Sequence, residues 1–209
     1  MTLQTWWLFF TAVFLLSATP GPNMLHVLGR SVRFGLRHSF ATMAGCLTAV
    51  ILVLIASAAG LSAALLASPM LFDGLRYAGV AYLVCLGIGA WRGDDEPIRV
   101  AGGPAPARPP SPVRLFRDGF LIGASNPKLL LFAAAFFPHF IDQAAPQAQQ
   151  LAILVVTFAA AELFWYAVYA LSGARLAASL TRPGLKRLFD RATGAIFIGF
   201  GAVLLGTRP

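Results

Sequence analysis

The chain has 209 residues, of which 58% are hydrophobic and 11% charged, with a formal net charge of +8. Soluble domains carry roughly 25% charged residues, so a water-soluble globular fold is excluded, and recurrent apolar runs near 20 residues long read as membrane spans. The basic residues flank those runs, which makes the positive charge a topology signal rather than a nucleic-acid footprint.

Span one is expected over residues 6–28, with Trp6 and Trp7 as interfacial anchors. Thr19-Pro20-Gly21-Pro22-Asn23 interrupts it. The apolar stretch 3–18 ends in small residues, as a signal peptide would. No basic region precedes it and the apolar pattern resumes after the break, so it is read as a retained span. Span two covers 40–61 and span three 71–91, closed by Trp91. Residues 92–116 hold Pro97, Pro104, Pro106, Pro109, Pro110 and Pro112, a composition that builds no core. They are read as a flexible cytoplasmic linker, with Asp94, Asp95 and Glu96 as solvated surface. Span four covers 119–140, span five 151–171 and span six 192–205, with an amphipathic lead-in at 185–191.

Thirteen of the sixteen basic side chains fall in the first, third and fifth loops. By the positive-inside rule those loops are cytoplasmic, and both termini lie outside. Spans one to three and four to six then run in opposite senses. Each half carries an Asn beside a Pro at a helix break. The expected architecture is an all-α integral membrane protein of six transmembrane helices, in two inverted-topology three-helix repeats with broken first and fourth helices. The whole chain, 1–209, is one membrane transporter domain, with repeats at 1–91 and 117–209 around the 92–116 linker.

The breaks carry the chemistry. Pro127 removes a helix hydrogen bond, and the Lys128 ammonium costs about 2.5–3.5 kcal/mol on insertion scales. Lys128 lies about 11 residues past Arg117, roughly 16 Å into a layer about 30 Å thick, where snorkelling is hardest. Irregular backbone and charge at that depth point to a cavity rather than lipid. Pro20 and Pro22 free the carbonyls of Leu16 and Ala18, and a half-helix with unpaired N–H groups starts beyond each break. Such starts suit a carboxylate. The expectation is that the two breaks bracket a small anionic or zwitterionic substrate, with Lys128 near its carboxylate.

Glu162 is the second charge at midplane depth, in span five. It reads as a proton carrier, a ligand for a substrate amino group, or a structural ion-pair partner of Lys128. Asp73 and Arg76 read as an interfacial pair, and His139 with Asp142 as an exposed helix end. His26 and His38 read as surface residues beside the first cytoplasmic loop. Gly119 with Gly123, and Ala195 with Gly199, read as helix-packing steps. Cys46 and Cys85 read as small buried residues, with no metal site and no cofactor implied. No Walker loop, nucleophile elbow, zinc-helix motif or dinucleotide fingerprint is present, so no enzyme is indicated.

Three motifs together resemble the LysE/RhtB family of bacterial amino-acid exporters, end to end. Ser17-Ala18-Thr19-Pro20-Gly21-Pro22-Asn23 is similar to its first-span signature. Tyr77-Ala78-Gly79-Val80-Ala81-Tyr82-Leu83 with Leu86-Gly87 is similar to its third-span pattern. Ser125-Asn126-Pro127-Lys128, followed by Phe136-Phe137-Pro138 and Phe140, is similar to its fourth-span signature; His139 departs from the glutamine-like residue expected after the proline. The resemblance implies efflux of an amino acid or derivative across the bacterial cytoplasmic membrane by proton or cation exchange. By motif match, Pro20, Gly21, Pro22, Asn23, Asn126, Pro127 and Lys128 become transport-path residues; Glu162 joins them on physical grounds alone. With one midplane acid available, neutral amino acids such as homoserine, threonine or leucine are favoured over lysine. The expected partners are that substrate, a coupling proton or cation, and membrane lipid, and the small-residue helix faces permit a homodimer. The competing readings are a metal-ion or other small-solute exporter, which would want more midplane ligands, and a membrane-embedded non-transport protein.

Overall fold

A computed structural model describes residues 1–67, 109–142 and 144–180, with single positions between 77 and 92 and between 184 and 202. The described residues are helical, with no strand among them. Span three, span six, the Asp73–Arg76 pair, the third-span motif and most of the linker lie wholly or largely outside the described residues.

Helix α1 spans Leu3–Ala18, capped by Thr2, whose side chain accepts from the Thr5 N–H. It stops because Pro20 brings no N–H to continue the ladder. Helix α2, Pro22–Phe34, restarts with Pro22 in its first turn, where a missing N–H costs nothing. The two axes meet at 49°, so α1 and α2 are one broken span or a re-entrant pair.

A single residue, Gly35, then separates α2 from α3, Leu36–Ala67. Its φ of 78° is a left-handed conformation that other residues rarely adopt. The basic stretch read as the first cytoplasmic loop is therefore two helix ends around one glycine. His26 and His38 are half-buried there, not surface residues, and the His38 Nδ1 lies 2.8 Å from the Phe34 carbonyl. Cys46 is buried in α3 as expected, whereas Cys85 is exposed; both are free thiols.

Helix α4, Pro112–Ala124, begins inside the stretch read as linker. Ser111 caps it by accepting from the Arg114 N–H, and Pro112 occupies its first turn. The span-four run is not one helix. It breaks at Ser125-Asn126, restarts as the five-residue α5, Pro127–Leu131, and continues as a π turn over Phe132–Phe136 and a 3-10 turn over Phe137–Phe140. At its far end Asp142 is a turn former, accepting from the Ala144 N–H at 2.9 Å, while Gln150 holds the Asp142 N–H and carbonyl. His139, half-buried, sits in the 3-10 turn rather than on an exposed helix end.

Helix α6, Gln147–Leu180, is interrupted at Gly173, where φ is 45°. Among the described residues, helices α3 and α6 contain the stretches long and apolar enough to cross a membrane, and the α1–α2 pair makes a third if counted as one span.

Lipid offers no hydrophobic drive between helices, so contact geometry does the packing. Helices α3 and α4 approach one another closely. A Cβ on Gly45 would overlap the Phe116 backbone, one on Gly119 would overlap the Thr42 carbonyl, and one on Gly123 would sit 2.7 Å from the Ala49 methyl. The reading of Gly119 and Gly123 as a packing step thus holds. A phenylalanine cluster forms one core: Phe9 meets Phe140 edge-on at 5.0 Å, and Phe132 meets Phe158 at 5.2 Å. Such pairs contribute about 0.5–1.5 kcal/mol each beyond area burial. A second core joins Met24, Val27 and Leu28 of α2 to Met43 and Cys46 of α3 and to Tyr166 and Tyr169 of α6. The first break lies in the chain between Leu16 of one core and Met24 of the other.

Candidate functional site

The two helix breaks meet. Lys128, in the first turn of α5, reaches into the first break, where its Nζ donates to the Leu16 carbonyl at 3.0 Å, the Thr19 carbonyl at 3.1 Å and the Thr19 Oγ1 at 3.3 Å. An ammonium has three donors, and all three have acceptors here. Two of its three acceptors are backbone carbonyls that Pro20 and the end of α1 leave outside the helix ladder, and the third is the Thr19 hydroxyl. Gly21 makes the approach fit: a Cβ there would lie 3.1 Å from both Cε and Nζ of Lys128.

The second freed carbonyl is caught as well. Tyr169 Oη donates to the Ala18 carbonyl at 2.9 Å. Leu16 keeps further donors, the Thr19 N–H at 3.2 Å and the Thr19 hydroxyl at 2.7 Å. Asn126 caps α5, its Oδ1 accepting from the Lys128 N–H at 3.1 Å, and so sets the direction in which the lysine leaves the backbone. Pro127 follows at the first helical position.

Glu162 and Asn23 complete the cluster. Glu162 is 4% exposed on α6, and its Oε1 accepts from the Ser17 hydroxyl at 2.7 Å. Its Oε2 is buried with no hydrogen-bond partner. Glu162 and Lys128 form no direct ion pair; ion pairs among the described residues include Arg30–Asp118 at 3.2 Å and Arg117–Asp118 at 3.7 Å. Asn23 is 3% exposed, and its Nδ2 donates to Tyr166 Oη at 3.1 Å while its Oδ1 has no partner. Each contact ties the first break to α5 or α6.

Pro20, Gly21, Pro22 and Asn23 thus lie at the first break, Asn126, Pro127 and Lys128 at the second, and Glu162 on the helix beside them. Ser17, Tyr166 and Tyr169 join the site although their residue types in the sequence assign them no role in it. Their signal is spacing: Glu162, Tyr166 and Tyr169 stand at i, i+4 and i+7, a polar stripe on one face of an apolar helix. On the side of the Arg-rich helix ends, Arg30 pairs with Asp118 and Ser31 Oγ donates to the Ala170 carbonyl at 2.7 Å, holding α2 against α4 and α6.

The LysE type translocator pattern matches residues 14–208. A homoserine/homoserine lactone efflux protein of Salmonella typhimurium is 32% identical over 212 residues, spanning 100% of this chain and 99% of its own length. A protein of the same description from Salmonella typhi is 32% identical with the same coverage. An uncharacterized membrane protein of Pseudomonas aeruginosa is 34% identical, spanning 97% of this chain and 95% of its own. No solved structure matches significantly.

Proposed function

Since the chain belongs to the LysE type translocator family, we propose that it is a secondary transporter exporting a neutral amino acid or amino-acid derivative across the bacterial cytoplasmic membrane, by antiport with a proton or another cation. The observation that carries this is the Lys128 ammonium at one helix break bonded to backbone carbonyls exposed at the other. Helix breaks that bring unpaired backbone groups together within a membrane are the way secondary transporters build a solute site. Pro20, Gly21, Pro22, Asn23, Asn126, Pro127, Lys128 and Glu162 line the path in this reading, within a six-helix inverted repeat whose termini face outward.

Two considerations favour a neutral side chain on the substrate. Glu162 is the one acid placed at midplane depth, which leaves little to hold a second cationic group. The Salmonella relatives are named for homoserine and its lactone, neither of which carries a charged side chain. These two compounds share an α-amino group, while the lactone lacks the free carboxylate. A transporter that takes both grips what they share.

The test is release of amino acids from bacterial cells loaded with dipeptides, with and without this chain. Faster efflux of a few neutral amino acids is expected, slowed when the pH gradient is dissipated. Unchanged efflux of every amino acid, with the chain inserted in the membrane, overturns the reading. Efflux indifferent to every cation gradient removes antiport from it.

A further inference from the structure

We propose that Glu162 Oε2 and Asn23 Oδ1 form the subsite for the substrate's primary ammonium group, so that this chain selects solutes by a free amine and tolerates a masked carboxylate. The inference rests on the exporter reading above and assigns the end of the substrate that is held.

Two buried oxygen acceptors have no partner in this cluster, Glu162 Oε2 and Asn23 Oδ1. An unpaired buried acceptor costs on the order of 1–3 kcal/mol, more when charged, so two of them beside one break call for a donor. Each is fixed by its other atom. Ser17 Oγ donates to Glu162 Oε1 and leaves Oε2 open. Asn23 Nδ2 donates to Tyr166 Oη and leaves Oδ1 open. Tyr166 stands four residues beyond Glu162 on the same face of α6, so the bond from Asn23 to Tyr166 holds the amide against the face that carries the carboxylate. Two acceptors sharing one ammonium, each about 2.9 Å from it, are at most about 6 Å apart. Two open acceptors held against one face of α6 suit a small cationic donor.

The complementary end is not offered the same terms. The one ammonium in the cluster, Lys128, already donates to Leu16 and Thr19 oxygens. A substrate carboxylate would have to displace those bonds, whereas Glu162 Oε2 and Asn23 Oδ1 have no hydrogen-bond partner to give up. Recognition then falls on the amine, and a carboxylate closed into an ester or lactone costs little.

The experiment is exchange across proteoliposomes holding the full chain, with no ion gradient imposed. Labelled L-threonine and L-leucine are competed by their methyl esters and by their N-acetyl derivatives. The ester is expected to compete within a few-fold of the parent. The N-acetyl form is expected to be at least tenfold weaker, about the loss from one charge-assisted hydrogen bond. Glu162→Gln is expected to weaken parent and ester alike by tenfold or more and to narrow the discrimination against the N-acetyl form. The ligand series on the unaltered protein stands whether or not the variant folds. Equal competition by the N-acetyl form, or failure of the ester, overturns the subsite. So does a Glu162→Gln protein with unaltered exchange that loses only gradient-driven transport, which would make Glu162 a proton carrier instead. Absence of exchange for both amino acids, together with no efflux of any amino acid from loaded cells, overturns the exporter reading itself; efflux without this amine selectivity overturns the subsite alone.

Discussion

Gly119→Ala isolates the close approach of α3 and α4, with Gly60→Ala as its comparison. Both glycines lie inside helices, and alanine is the better helix former by up to about 1 kcal/mol. At Gly60 an added Cβ meets nothing within 4 Å, so the propensity gain stands alone. At Gly119 the added Cβ overlaps the Thr42 carbonyl, which is backbone and cannot swing aside. Overpacking of this kind costs about 1–3 kcal/mol, so Gly119→Ala is expected to lose up to about 2 kcal/mol net. With about 2–4 °C of melting temperature per kcal/mol in a chain of this size, the two variants should move apart by several degrees in opposite directions. Thermal unfolding of the detergent-purified protein reads this directly. Transport should fall in Gly119→Ala alone, because displacing α4 moves the Ser125-Asn126 break and draws Lys128 away from Leu16 and Thr19. A Gly119→Ala protein as stable as Gly60→Ala would refute the packing argument.

Tyr169→Phe leaves the Ala18 carbonyl without its phenol donor and should cost about 1–3 kcal/mol of stability, with slower export at unchanged expression. Asn126→Ala removes the cap of α5 and should cost about 1 kcal/mol while lowering export more than stability, since the cap also aims Lys128; parallel melting and efflux curves check both. The Arg30–Asp118 pair, with side chains only 19% and 24% exposed, should show a coupling of about 1 kcal/mol in a double-mutant cycle of Arg30→Ala and Asp118→Ala, reduced only weakly as salt is raised.

The breaks were legible because proline, glycine and asparagine within an apolar run leave few structural options. The same rule points to Lys128, which the structure holds against the first break. What Lys128 touches was not legible. Residue types pointed to Glu162, the one opposite charge at its depth, yet its acceptors are mostly backbone carbonyls. Every residue carries such a carbonyl, so it leaves no mark in the composition; only the proline that strips its helical partner betrays it. Tyr166 and Tyr169 were hidden differently. In an apolar helix a tyrosine reads as bulk, and its hydroxyl matters only once a broken helix lies opposite. The first cytoplasmic loop was misjudged in length because a single glycine at positive φ turns the chain without a run of polar residues. The end of span four carries no sequence mark of its change of turn, because its phenylalanines keep an apolar pattern through the α, π and 3-10 turns alike.

The joining of the two breaks through Lys128 is tested most directly by amino-acid efflux from dipeptide-loaded cells expressing either the unaltered chain or Lys128→Ala, at matched amounts in the membrane. Rapid efflux of a small set of neutral amino acids, lost in the variant, is the expected result. Equal efflux from both, with the variant inserted normally, would contradict a transport path built on that junction.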